Sequence, residues 1–221
     1  KNKWISFLAD GVLSGLMLGI GGMVSLSSEN RFLGAFLFSL GLFCIVQFKY
    51  GLFTGKVGYI VNRDLPYVAE TAVTLVGNAL GTLIAALLLR QVRFFTSTVS
   101  TMDVTISDRV QATVAGKIHD NPLSIFILAI FCGILMFTAV EGSRKCKEEK
   151  NFAGSLFVVV MPVMVFIICG FNHCIADMFY YFFAGCPEPS KAIVYFILAI
   201  AGNSVGGMIV PLLKKLSNQP L

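Results

Sequence analysis

His173 is the residue whose surroundings raise a chemical question. It lies in Gly170-Phe-Asn-His-Cys-Ile-Ala-Asp-Met178, a polar interval between the apolar runs Val163–Cys169 and Met178–Phe183. An anion entering an apolar constriction loses its hydration, so whatever passes it must hydrate, pair or neutralise it. An imidazole can donate a hydrogen bond to the anion, or hand it a proton so that a neutral acid moves on. A second polar interval, with Lys49, Tyr50, Gly51, Thr54, Gly55, Lys56 and Gly58, interrupts an earlier apolar run. It offers the Thr54 hydroxyl as a hydrogen-bonding group and Lys49 or Lys56 as long-range attractors of anions. Plainer readings exist: His173 as a hydrogen-bonded core residue, Thr54 satisfying carbonyls freed at a kink, and the lysines snorkelling to an interface.

Asp177 lies four positions after His173, which places both on one helical face and makes an acid–base pair conceivable, the basis of a membrane-enzyme reading. No nucleophile or ligand set accompanies them, so no enzyme, metal or cofactor is expected. Six cysteines contain no C-x-x-C pair, and four of them fall inside apolar runs, where a thiol packs as a small hydrophobe. His119 lies in a polar stretch and is expected to be solvated.

The elements that must position these residues are membrane spans. Apolar residues form 56% of the 221 and charged residues only 13%, about half the share of a soluble domain. Leu33–Gln47, Ala72–Leu89 and Asn121–Val140 carry no charge and approach or reach the length that crosses a bilayer. The net charge of +5 comes from scattered lysines and arginines, with one cluster at Arg144, Lys145, Lys147 and Lys150, a topology signal rather than a nucleic-acid surface. Spans are expected near 5–26, 32–61, 67–90, 121–142, 152–185 and 191–213, in a single transmembrane domain over 1–221, with Gln91–Asp120 as the one long polar loop. Trp4–Met23 reads as part of a full span rather than a signal peptide, and the missing initiator Met suggests trimmed ends. Six spans put both termini on one side. Lys1, Lys3, Arg63, Arg144, Lys145, Lys147, Lys150, Lys214 and Lys215 then lie with the termini, against Arg31, Arg90, Arg93, Arg109, Lys117 and Lys191 opposite, which favours cytoplasmic termini.

The second and fifth spans hold the two polar intervals and are too long for one straight helix; such material is tolerated at membrane depth only where it lines an enclosed, often hydrated cavity. The halves also repeat. Ser14-Gly-Leu-Met17 matches Cys132-Gly-Ile-Leu135, the breaks begin at Gly51 and Gly170, and Gly77-Asn-Ala-Leu-Gly81 matches Gly202-Asn-Ser-Val-Gly206. Three spans per repeat invert the second copy, about 121–215, relative to the first, about 5–90. The Gly-Asn pieces are expected to permit close helix contact and interhelical hydrogen bonds.

Phe38-Ser-Leu-Gly-Leu42, Gly51-Leu-Phe-Thr-Gly55, Gly77-Asn78, Cys132-Gly-Ile-Leu135, Met161-Pro162, the interval around His173 and Gly202-Asn-Ser-Val-Gly-Gly207 together resemble the formate/nitrite transporter family, in order and over nearly the whole chain. The resemblance implies an all-α membrane fold with six transmembrane helices in an inverted three-plus-three repeat. It implies an aquaporin-like protomer with helices 2 and 5 broken, a homopentamer with one pore per protomer, and passage of small monovalent anions such as formate, nitrite and hydrosulfide. It maps a pore threonine onto Thr54 and a central histidine onto His173, with Leu52 and Phe53 beside them and apolar constrictions at Phe38, Leu42 and Phe166. It also implies a bacterial plasma membrane. Two departures stand out: Asn172 where the family pattern has Glu, and Lys56 two residues after the threonine, which together predict a less acidic, more cationic centre. An aquaporin-like channel for water or small neutral solutes is the alternative, although the paired N-P-A signature of aquaporins is absent.

Overall fold

The computed structural model describes residues 2–99 and 103–217; Lys1, counted above with the cytoplasmic charges, lies outside them. The helices are α1 (Lys3–Ser27), α2 (Arg31–Phe48), α3 (Phe53–Lys56, continuing as a 3₁₀ helix over Val57–Asn62), α4 (Leu65–Leu89), α5 (Ile106–Ile118), α6 (Pro122–Glu148), α7 (Phe152–Cys169), α8 (Cys174–Phe183) and α9 (Pro189–Leu216). Six of them, α1, α2, α4, α6, α7 and α9, are long and apolar enough to cross a bilayer. Their starts follow local chemistry. Asn30 accepts from the N–H groups of Phe32 and Leu33 at 2.9 and 3.1 Å, and Asn121 and Asn151 cap α6 and α7 in the same way. Pro66, Pro122 and Pro189 occupy the first turns of α4, α6 and α9, where the missing N–H costs nothing.

The stretch Gln91–Asp120 is not simply a polar loop. A Thr105–Asp108 capping box opens α5, and Ile106, Val110, Val114 and Ile118 line one buried face at every fourth position. This short amphipathic helix packs against α8 and α1. Arg109 on its polar side donates to the carbonyls of Leu26 and Ser28 at the end of α1.

The two halves are built alike. α1 packs on α4 and α2, and α6 packs on α9 and α7. A Cβ on Gly15 would run into the backbone of Asn78 and Gly81, and one on Gly133 into that of Asn203 and Gly207, so both helix pairs meet at backbone distance. Both breaks use one motif: Lys49 at φ 59° and Gly170 at φ 70° turn left-handed, after which Tyr50 N–H bonds Ile45 O and Phe171 N–H bonds Phe166 O, each at 2.9 Å. Hydrogen bonding therefore aligns Gly170 with Lys49, and Gly51 with Asn172, two residues away from the Gly51–Gly170 match that the sequence suggests.

Each break is then stapled by one asparagine. Asn78 donates to Gly51 O at 2.8 Å and Gly11 O at 2.9 Å, and accepts from Phe53 N–H at 2.9 Å. Asn203 donates to Asn172 O and Ala129 O at 2.8 Å, and accepts from Cys174 N–H at 2.9 Å. An unwound segment inside a bilayer has no water to satisfy its peptide groups, and these two amides take that role.

Candidate functional site

The breaks bring Thr54, just inside α3, against His173, the N-cap of α8. Thr54 is fully buried and His173 is 1% exposed. The ring's Nδ1 accepts the Ala176 N–H at 3.1 Å, so a neutral ring carries its proton on Nε2, which lies 3.1 Å from Thr54 Oγ1. His173 donates, Thr54 accepts, and the threonine's own O–H remains available to a third group. A helix N-terminus carries partial positive charge, and the two breaks offer unequal ones. α8 has 10 residues, whereas α3 is a single turn of 4 before its 3₁₀ continuation.

Phe166 lies against His173 with ring centroids 5.5 Å apart and the planes tilted by 31°, and meets Phe38 edge-on at 5.7 Å. Phe38 and Leu42 are buried in the same apolar core, together with Leu52 and Phe53. Two cavities, each of about 380 Å³, lie on opposite faces of this plug. The first is bounded by Arg31, Arg109, Lys117, Asp177 and Phe166, on the side of the α1–α2 turn and α5. The second is bounded by Leu52, Lys49, Lys56, Arg144 and Lys147, on the side of the termini. Phe166 closes one and Leu52 the other, so the Thr54–His173 pair sits between them.

Several residues fall differently from the sequence expectation. Lys56 borders the second cavity, but its ammonium turns to the rings of Phe7 and Tyr67, 4.7 and 5.3 Å from their centroids, rather than to the centre. The less acidic centre predicted from Asn172 is also modified. Lys117, read from sequence as a loop charge, reaches in from α5 to Asn172 Oδ1 at 2.8 Å and to Asp177 Oδ1 at 3.1 Å. Tyr195 O–H donates to the other Asp177 oxygen at 2.6 Å. Asp177 thus supplies, one helical turn on, the carboxylate that Asn172 lacks. With both ring nitrogens of His173 engaged by Thr54 and Ala176, His173 and Asp177 do not form the acid–base pair of the enzyme reading. His119, expected to be solvated, is 43% exposed and paired with Glu188 at 2.8 Å. Glu188 also holds Lys191, which keeps its carboxyl below the usual range.

Lys117 and Tyr195 are the site residues that sequence reasoning missed. The periodic face of α5 was the available signal for the first; for Tyr195, 18 residues beyond Asp177, no local signal exists.

A six-span bundle whose two stapled breaks meet between opposed cavities has the architecture of a membrane transport protein. The family model described as formate/nitrite transporter matches residues 1–215, and the chain belongs to that family. It is 28% identical over 152 residues to a formate channel FocA of Haemophilus influenzae, across 68% of this chain and 52% of that protein, so the match spans about half the length of the relative. It is 27% identical to the uncharacterized transporter YrhG of Bacillus subtilis, across 92% of this chain and 81% of that one. Among solved structures, a pentameric formate channel with formate bound superposes with a TM-score of 0.78 at 23% identity, covering 99% of both chains, which establishes the shared fold.

Proposed function

We propose that each protomer passes small monovalent anions, of the formate, nitrite and hydrosulfide class, along a path from one cavity to the other past Thr54 and His173. The observation that carries this reading is the hydrogen-bonded Thr54–His173 pair, the polar contact set in the apolar plug between the two cavities. An anion that has shed its water would take the threonine O–H, itself polarised by the imidazole N–H behind it. Phe38, Leu42 and Phe166, as constrictions above and below the centre, would hold it dry together with Leu52 and Phe53, so that the anion is stripped, paired and released within a short distance. Asn172, locked between Lys117 and the Ile125 carbonyl, would shape the centre from behind. The relatives named as formate channels support the substrate class, and the pentameric neighbour supports a homopentamer with one path per protomer.

The same reading places the protein in a bacterial plasma membrane with both termini cytoplasmic, on the side that carries Arg63, the Arg144–Lys150 cluster and Lys214–Lys215. The test is efflux of formate, nitrite and hydrosulfide from proteoliposomes. The wild type should release at least one of them, and Thr54→Ala and His173→Ala should each slow it. Unchanged flux in both variants would reject the mechanism.

A further inference from the structure

Each broken span delivers a problem to an anion pathway. An α-helix that stops in mid-membrane leaves unpaired carbonyls and a partial negative charge, equivalent to roughly half an electron, at its C-terminal end. α2 and α7, of 18 residues each, end in this way beside the two cavities. In each left-handed turn the backbone closes on the carbonyl of Ile45 or Phe166, and in the second Gly170 N–H also reaches Ile167 O at 3.2 Å, so the carbonyls left without a backbone donor from the turn are Val46 O at the first end and Ile168 O at the second.

A cation from outside the helix occupies each of these ends. Lys147, from the last turns of α6, places Nζ 2.8 Å from Val46 O. Arg31, from the first turn of α2, places one guanidinium nitrogen 2.7 Å from Ile168 O and 3.5 Å from Ile167 O. By the register of the two breaks Val46 and Ile167 are equivalent positions, so Ile168 O, which holds the short contact to Arg31, lies one position further on, and the two cations come from non-equivalent places: the start of the first broken span and the end of the helix before the second. Arg31 borders the first cavity and Lys147 the second, each beside the helix end it covers and among the other cations of its cavity.

We propose that Arg31 and Lys147 are specificity-determining residues of the anion path, each cancelling the negative helix end that would otherwise repel an anion at its cavity. This rests on the anion reading above. The plain alternative is that they are helix caps with no bearing on the permeant charge, and ionic strength separates the two, since a charge at an open cavity is screened by salt whereas a structural cap is not.

The experiment measures formate efflux from proteoliposomes at about 20 mM and about 500 mM ionic strength, where the screening length falls from roughly 20 Å to roughly 4 Å. Arg31→Gln and Lys147→Met are made separately, so that one remains informative if the other fails to fold, with Arg31→Lys and Lys147→Arg as charge-retaining controls. The proposal expects each neutral variant to slow efflux about 3- to 10-fold at low salt and less than about 2-fold at high salt, with the conservative variants near wild type. Unchanged efflux in the folded neutral variants, or a loss that is equal at both salts and not restored by the conservative variants, overturns it. If the wild type itself moves no anion, the functional reading fails first and takes this inference with it.

Discussion

Thr54 Oγ1 lies 3.1 Å from His173 Nε2, and because His173 Nδ1 is committed to capping α8, the direction of that hydrogen bond is fixed for the neutral ring. The hydroxyl proton is therefore turned away from the histidine. Thr54→Ser keeps the hydroxyl and is expected to retain most of the flux. Thr54→Val keeps the shape but leaves the imidazole N–H buried without an acceptor, at a cost of about 1–3 kcal/mol, and removes the donor offered to the anion. Efflux and thermal unfolding in detergent, measured on the pair, should show Val losing both and Ser losing neither.

The asparagine staples give a second expectation. Asn78 and Asn203 each hold one carbonyl and one N–H of their break, Gly51 O with Phe53 N–H and Asn172 O with Cys174 N–H, besides a carbonyl inside a neighbouring helix, so truncation to Ala strips the side-chain partner from two break groups in either case. At about 1–3 kcal/mol per group, Asn78→Ala and Asn203→Ala should both unfold at markedly lower temperature than wild type, and by similar amounts. A large difference between them would contradict the equivalence of the two breaks.

Lys117 and Asp177 form a pair in which Asp177 is 5% exposed. Breaking a buried pair from one side typically costs about 3–5 kcal/mol, whereas removing both charges is far milder. Asp177→Asn alone should therefore lower the unfolding temperature more than the double variant Asp177→Asn with Lys117→Met. The double variant also tests whether the charge of Lys117 matters to flux once stability is restored.

Close packing of α1 on α4 can be tested with a matched pair of glycines. A Cβ at Gly81 would strike the carbonyl of Val12, while one at Gly116, on α5, meets nothing within 4 Å. Gly81→Ala should destabilise by about 1–3 kcal/mol or displace α1. Gly116→Ala should be neutral or, as a helix interior, slightly stabilising. Detergent unfolding of both variants checks this.

How much of this was legible depends on whether the information is local. The six spans follow from apolar runs, and the two breaks from glycine and polar residues that a lipid-facing helix would not carry; both are properties of contiguous sequence. The Gly-Asn pieces were legible as close contacts, although not as staples, because the carbonyls that Asn78 and Asn203 bind belong to other segments. α5 was hidden by its polar face, even though Thr105, Asp108 and the four-residue spacing of Ile106, Val110, Val114 and Ile118 announce it. Lys117 could not be read at all without that helix, since only its position at the end of α5 carries it to Asn172 and Asp177. Lys56 failed for the reverse reason: its place in the chain is close to Thr54, but its long side chain leads elsewhere, to Phe7 and Tyr67.

The most direct test of the central claim measures anion efflux and osmotic water flow in the same proteoliposomes, for wild type and for His173→Ala. Wild type should release formate, nitrite or hydrosulfide well above empty vesicles, and His173→Ala should slow this release by about an order of magnitude or more, as expected for loss of a preorganised donor. Rapid water flow without anion release, or anion release indifferent to His173, would contradict that claim.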